Sequence, residues 1–527
     1  VVNSGSNVYG AYLGEILRAE GLNAFEVVSL NALTAQMLAQ HQLTILNATA
    51  LNSAQAALFN SHVAGGGRLL ALRPDSQIAP LFGLGSSQGA LADGYLQINP
   101  AAILNGQQPG QGLTAETLQI HGSADRYTLA PGAVAVATLF SNSQTSTSSP
   151  AVSGNATGTA VAFTYDLVSS VVLMRQGNPS NANVDADGNG RLSPQDLFIG
   201  TNGAPLWIDL NRVHIPQADV QQRLFANLVK QMVGQSLPLP QLWYFPGNAK
   251  TMLVLTGDAH GNPTSYYQNL VTAANQYGGK ISFYMTQAAD PNPASMAGWE
   301  AQGHDVSIHP VLSTNLSSAF SSITSWFTMR FGVSPGRTSR NHQVVWSGWT
   351  DAAQIATQYG FALDTNYYHW GTWLQKPDGT WPHGYITGSG RPMKFVTSGG
   401  TVLPIYQQLT QLVDEQLFVT AGLENLSGAQ GFAVSKELID ASQAGNYAAL
   451  MTQFHVDYFG WGNVYDWATS TMSYAQAQGV PMWNAEQWLT FTETRDGANF
   501  TNLAYNAGQL SFNLTSASNG QQLSILL

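Results

Sequence analysis

The sequence predicts an α/β protein in two successive parts: a parallel-sheet domain with β elaboration, then a distorted (β/α) barrel, followed by a short β tail. Three observations carry this. At 527 residues the chain is long for one domain. Short apolar runs alternate with stretches of helical periodicity, first over 11–74 and again over 251–458. Ionisable residues recur where the apolar runs of the second series end, and that is where a β/α barrel carries its chemistry.

The elements follow in order. Residues 11–28 place Leu13, Ile16, Leu17 and Leu22 at helical spacing, with Gly21 as the expected stop. "LTILNAT" (43–49) and "GGGRLLALRP" (65–74) are buried-strand candidates flanking the helix "SAQAALFNSHVA" (53–64), which implies a parallel sheet. Over 90–164 Gly, Ser and Thr dominate, with short runs such as "AVAVATLF" that read as β structure added to the first domain. The Pro-rich "SLPLPQLWYFPGNAK" (236–250) reads as a linker. Strand candidates then follow at "TMLVLTG", "KISFYM", "HDVSIHP", "GRTSRNH", "FALDTNYY" and "LMTQFHVDY". Helical stretches such as 263–278, 295–303 and 349–360 lie between them. After about residue 497, "GQLSFNLTS" alternates as a β tail does. The expected units are 1–235, 236–492 and 493–527.

Composition removes several function classes. Only 9% of residues are charged, against the about 25% of ordinary globular chains. Neutral polar residues cover the surface instead, which points to an exported protein: secreted, cell-surface or periplasmic. The chain begins at Val1 without a leader and reads as a mature or trimmed form. There is no cysteine, so disulfides, Cys-zinc sites and thiol catalysis are excluded. A net charge of −11 with no Lys/Arg run argues against nucleic acid and anionic membranes as partners. No apolar stretch is long enough to span a bilayer.

Seven of the 11 histidines fall between residues 258 and 455. Successive strand ends supply Asp258 and His260, then His309, then Arg340 and His342, then Asp364, then His455 and Asp457. A lone histidine at a strand end is ordinarily a hydrogen-bonded structural residue. Five such ends in series, carrying these residue types, make a ligand set the better reading. One carboxylate with two or three imidazoles suits zinc or a similar divalent ion, with a position left open. Metal, carboxylate and a further histidine together suit hydrolysis of an amide or ester. Asp258 and His260 share one side of an extended chain, so both can face the same centre.

The order and spacing of these motifs resemble the NodB-homology polysaccharide deacetylases, carbohydrate esterase family 4 and its relatives. Thr256-Gly257-Asp258-Ala259 falls on that family's Thr-Phe-Asp-Asp. "GHDVSIH" (303–309) falls on its Gly-His-Glu-Ile-Gly-x-His, "TSRNH" on its Arg motif, "LDTNYYHW" on its Asp/Trp motif and "TQFH" on its Leu-x-His. The match covers about 242–491, and "GVPMWNAEQWLTF" is similar to the closing helix. Two positions depart from the pattern: Ala259 stands where the second Asp would be, and Ser313 where the second His would be. His260 and His342 stand where the pattern has no histidine, and they would restore the set. The resemblance implies a NodB-type deacetylase barrel of a divergent, exopolysaccharide-type branch, acting on a polysaccharide. It implies Asp258 as base or ligand, with His260, His309 and His342 as ligands of a divalent transition metal, zinc before others. It further implies His455 as general acid, Arg340 tuning a carboxylate, and Asp364 orienting His455 or binding substrate. The first part resembles a glutamine-amidotransferase-like or ThuA-like, flavodoxin-type domain. It lacks the nucleophilic Cys of an amidotransferase and would be a scaffold or binding unit.

Aromatic residues crowd the second half. Trp346, Tyr367, Tyr368, Trp370 and Trp373 are candidates for stacking on sugar faces, although the same rings also build ordinary cores. A second metal loop is written at 185–196, "DADGNGRLSPQD". Asp185, Asp187, Asn189, Ser193 and Asp196 occupy calcium-loop positions 1, 3, 5, 9 and 12. Gly190 sits at the turn, and Arg191 offers its backbone carbonyl. Two other readings stay open at this level: another metal-dependent amide or ester hydrolase, and a non-catalytic polysaccharide-binding protein on a degenerate barrel.

Overall fold

The structure is a computed structural model that describes residues 1–527 except 202, 235, 313, 314 and 517–521. It is a mixed α/β protein with two large sheets. The first is nine-stranded, and one half of it is parallel: Val28–Ser29, Val2–Asn3, Thr44–Leu46, Leu69–Leu72 and Ala160–Phe163. The sheet then continues antiparallel through Ser146–Gly154, Val134–Phe140, Tyr95–Ile98 and Thr117–Gln119. Every residue of Leu69–Leu72 is buried, as expected of a parallel strand covered on both faces. The helix Ser53–Ala64 starts at a reciprocal cap in which Asn52 and Gln55 each accept the other's backbone N–H.

The expected first helix is shorter than its periodicity suggests and ends at Ala19. Gly21 has φ +73°, and a Cβ there would lie 2.1 Å from the Leu242 carbonyl oxygen. The Leu242 N–H donates to the Gly21 carbonyl at 3.0 Å. Gly21 therefore both stops the helix and lets the 236–250 segment dock. That segment corrects the linker expectation. Gln241–Leu242 pairs with Ile525–Leu526, and Leu242 and Phe245 are fully buried. Tyr244 donates to Glu20 at 2.6 Å, and the Arg391 guanidinium sits 3.9 Å from its ring centre. The prolines suggested a tether, but burial of Leu242, Tyr244 and Phe245, with Trp243 packed partly buried beside them, outweighs them.

The second sheet runs in the order Met393–Val396, Val402–Gln407, Leu363–Asp364, Thr338–Ser339, Asp305–Ile308, Ile281–Met285, Met252–Ala259, Ala449–Gln453, Thr410–Val413. Met482–Trp483 also pairs with Met252–Ala259. All these pairings are parallel except that of Met393–Val396 with Val402–Gln407. Helices such as Thr264–Gln276, Pro293–Glu300, Leu316–Phe331 and Asp351–Gln358 supply the crossovers that parallel pairing requires. A parallel bridge between Tyr368 and Thr410 brings the last strand back to the segment after Leu363–Asp364, so the sheet curls into a distorted barrel. Parallel order puts the C-terminal ends of its strands on one side, and the candidate residues lie there.

Two strands are only two residues long where seven or eight were expected, at 336–342 and 361–368. Gln343 and Val344 both take positive φ, +57° and +45°, directly after His342. The tail is a hairpin of Asn499–Asn506 and Gln509–Thr515. One apolar cluster joins the two halves, including Leu13, Leu17 and Val171 from the first and Leu253, Phe283 and Ile308 from the second. Among the described residues no helix is long and apolar enough to cross a membrane.

Candidate metal centre

The buried strand Met252–Ala259 ends in the motif Thr256-Gly257-Asp258-Ala259. A Cβ on Gly257 would lie 2.8 Å from the Phe454 carbonyl, so glycine lets the neighbouring strand approach closely enough to bring His455 beside Asp258. Ala259 is fully buried and carries no ligand atom. Ser313, the other departure from the family pattern, lies outside the described residues.

Three histidines from three strand ends meet. His260, His309 and His342 each offer a ring nitrogen, and these atoms lie within 4.8 Å of one another. Their ring centres are 5.2–5.5 Å apart. The His309 Nδ1–H donates to the Arg340 carbonyl at 2.7 Å. A carbonyl can only accept, so the lone pair of His309 sits on Nε2, on the side facing Asp258. Burial pushes His309 down to about 3 against the pull of Asp258, and His260 and His342 add to the lowering. Burial and then His455 lower His260, and burial and then His260 lower His342. All three are therefore neutral imidazoles at neutral pH, the form a metal requires. The residues present fit a divalent transition ion.

Asp258 stands beside them, 3% exposed. One of its oxygens accepts from Arg340 Nη1 at 3.0 Å. The other lies 3.8 Å from His309 Nε2 and accepts from the Tyr368 hydroxyl at 3.4 Å. Burial alone would raise this carboxyl, but the Arg340 guanidinium and then the cationic His455 hold it below its ordinary range. Arg340 is wholly buried and ties its own strand to four others. Besides Asp258 it donates to Thr256 Oγ1, the Thr365 carbonyl, Thr410 Oγ1 and Gln453 Oε1.

His455, from the end of Ala449–Gln453, stacks on His260 with ring centres 5.7 Å apart. Its Nδ1 is 2.8 Å from Asp414 Oδ1, and its backbone N–H donates to Asp414 Oδ2 at 2.6 Å. Burial opposes its charge, but Asp414 and Glu415 outweigh burial and push His455 up to about 10. His455 is the protonated histidine among neutral ones.

Asp258, His260, His309, His342 and His455 all line one cavity of about 240 Å³, with Tyr368, Trp370, Glu415 and Tyr458. Gln343 and Val344 add to this wall, and the rest of it comes from the first half of the chain: Asn189, Arg191, Ser193 and Gln195. The 185–196 loop is fastened to the barrel there. The Trp346 N–H donates to the Leu192 carbonyl at 2.8 Å, and the Gly348 N–H to Asn183 Oδ1 at 2.7 Å. Within the loop Asp185, Asp187 and Asp196 bring carboxylate oxygens within 4.8 Å of one another. Asp196 accepts from the backbone of Ala186 and from both the backbone and hydroxyl of Ser193. Asn189 Oδ1 accepts the Arg191 N–H at 2.9 Å.

Several expectations are corrected. Asp364 does not orient His455; its carboxyl accepts from Asn366, and Asp414 holds the histidine. Trp346 and Tyr367 are core residues, 2% and 1% exposed, packed against Phe395 and bonded to the backbone of Trp349 and Gln176. Trp373 lies off the cavity wall, its indole N–H on the Trp370 carbonyl. Of the five aromatic candidates only Tyr368 and Trp370 face the cavity. Asp414, Glu415 and Gln195 went unnamed from sequence. The run "TQLVDE" carries the same signal as the other strands, an apolar run ending in carboxylates. Gln195 carries none.

No protein-family model matches the chain, and no curated protein matches it. Among solved structures the chain is similar over about half its length to a family 4 carbohydrate esterase from Streptomyces lividans in complex with acetate. Identity there is 12%, over 45% of this chain and 92% of that one, with a TM-score of 0.28. It is similar to the catalytic domain of a peptidoglycan N-acetylglucosamine deacetylase from Eubacterium rectale, at 18% identity over 46% of this chain and 90% of that one, TM-score 0.27. It is also similar to Puue allantoinase, at 12% identity over 47% of this chain and 91% of that one, TM-score 0.37.

Proposed function

We propose that this chain is a metal-dependent hydrolase of amide bonds, a carbohydrate deacetylase that removes N-acetyl groups from an amino-sugar polymer outside the cell. One observation carries the reading: three neutral imidazoles converge on a cavity whose wall also holds an anionic Asp258 and a cationic His455. His260, His309 and His342 would hold a divalent ion, zinc before others, which when bound would supply Lewis acidity for an acyl carbonyl and for a water. Arg340 keeps Asp258 ionised and fixed, with its other oxygen, beside the Tyr368 hydroxyl, directed at the imidazole cluster. That oxygen orients a water and accepts one of its protons as the water oxygen bonds to the acyl carbon. His455, held by Asp414, gives its Nε2 proton to the leaving nitrogen as the C–N bond breaks. Acetate and an amine result, and proton exchange with solvent resets the two groups. Tyr368 and Trp370 line the same cavity, which supports their role as aromatic contacts to a sugar ring.

The units 1–235, 236–492 and 493–527 stand as the proposed division. Calcium is the proposed occupant of the 185–196 loop, with Asp185, Asp187, Asn189, Ser193, Asp196 and the Arg191 carbonyl as its oxygen donors.

The test is acetate release from N-acetylglucosamine oligomers by zinc-loaded protein, beside a His309→Ala/His342→Ala variant. The reading expects about one transition metal per chain and acetate from the wild type, with both lost in the variant. Wild-type protein that holds the metal but releases no acetate overturns it.

A further inference from the structure

Gln195 lies on the short 3₁₀ turn Pro194–Leu197 and is 2% exposed. Neither its carboxamide nitrogen nor its carboxamide oxygen has a hydrogen-bond partner among the described residues. A folded chain rarely buries both ends of an amide unpaired, because each group gives up its hydrogen bonds to water. The side chain lies against the wall of the histidine cavity. Trp370, on the same cavity, also carries a buried indole N–H with no partner among the described residues.

The turn holding Gln195 is braced on both sides. Asn181 Nδ2 donates to the carbonyls of Asp196 and Ile199 at 2.8 and 2.7 Å. Leu197 and Phe198 are buried in the shared core, and Phe198 packs edge-on against Tyr367. The carboxamide is thus held by a rigid frame, and its unmet hydrogen bonds point to a ligand in the cavity.

We infer that Gln195 is a substrate-contact residue contributed by the first half of the chain, and that it reads adjacent hydroxyls of a neutral sugar ring beside the group being cleaved. A carboxamide presents an acceptor and donors side by side in one plane, and neighbouring hydroxyls each donate and accept. Trp370 adds a further donor. A site built to bond hydroxyls strongly rejects analogues that lack them. The selectivity for a sugar substrate therefore resides partly outside the barrel. This inference rests on the hydrolase reading above and deepens it.

The test compares wild type with Gln195→Leu and Gln195→Glu. One assay is kinetic, on the N-acetylglucosamine tetramer and on 4-nitrophenyl acetate, which has no sugar hydroxyls. The other is calorimetric binding of the tetramer. Thermal melting and metal content verify that each variant is folded and loaded, and Gln195→Glu keeps the side chain's size and polarity should the leucine variant fail to fold. The expected result is a tetramer kcat/KM lowered at least about tenfold more than that for the small ester, with tetramer binding weakened in step. Equal losses on both substrates, or unchanged tetramer binding in a folded variant, overturn the inference. If the wild type hydrolyses neither compound, the hydrolase reading falls, while Gln195-dependent tetramer binding still upholds the contact. If the wild type does not bind the tetramer, the sugar contact falls even where the ester is hydrolysed.

Discussion

His455 Nδ1 lies 2.8 Å from Asp414 Oδ1, and the second oxygen of the same carboxylate accepts the His455 backbone N–H. One buried carboxylate thereby sets the position of the imidazole and, ahead of Glu415, keeps it charged. Asp414→Asn keeps the shape and removes the charge. The expected outcome is a fall in kcat of about a hundredfold or more with metal content unchanged, read by steady-state kinetics beside metal analysis. A kcat equal to wild type contradicts the acid role of His455.

The three converging imidazoles predict the metal stoichiometry. His342→Ala leaves two nitrogens where three met. Its zinc affinity should drop by more than the roughly 10–100-fold that follows from losing a ligand's hydrogen-bond partner. Competition with a chromogenic chelator measures it. Chelation of wild type should abolish activity, and added zinc should restore it.

Arg340 and Asp258 form a buried ion pair, 0% and 4% exposed at their side chains. Arg340→Met leaves Asp258 buried without its partner, at an expected cost of about 3–5 kcal/mol in unfolding free energy. Arg340→Met with Asp258→Asn should recover part of that loss, because no uncompensated charge remains. Urea titrations of the three proteins decide this, and a single variant as stable as wild type would rule the argument out.

Asp364 supplies a pH dependence of stability away from the histidines. Burial pushes its carboxyl up to about 7. The folded chain keeps a proton there that the unfolded chain loses near pH ~4. Between those values the folded state binds more protons, so this group's contribution falls as pH rises across that window and is level above it. Asp364→Asn removes the penalty. Its Tm relative to wild type should climb between about pH 4 and pH 7 and stay level above that, measured by scanning calorimetry. A flat difference would show that Asp364 ionises freely in the folded chain.

Much of the barrel was legible because each strand has its own apolar run. Residues 251–257, 280–285 and 304–310 predicted Met252–Ala259, Ile281–Met285 and Asp305–Ile308 to within two residues at either end. The edge pair Met393–Val396 and Val402–Gln407 was not legible, because its Pro, Lys and Gly punctuation reads as loop. Thr410–Val413 went unnamed with it, and so did Asp414. Aromatic residues were ambiguous for a different reason. Tyr367 and Tyr368 are neighbours in sequence, yet one is packed against Phe395 and the other lines the cavity. Alternation along an extended segment separates them, and only the packing tells which side is which.

The sequence by itself determined that the chain is α/β, that strand ends supply imidazoles and carboxylates in series, and that His260 and His342 accompany His309. These are local facts, written in periodicity and in residue type at a run's end. The tertiary structure alone decided which carboxylate holds His455, which aromatic rings face the cavity, and that the 236–250 segment is packed rather than free. It also decided that a loop near residue 190 completes a cavity built around residue 309. Those outcomes depend on contacts between residues far apart in the chain, and burial and hydrogen-bond pairing settle such contacts only once the two sheets share a core.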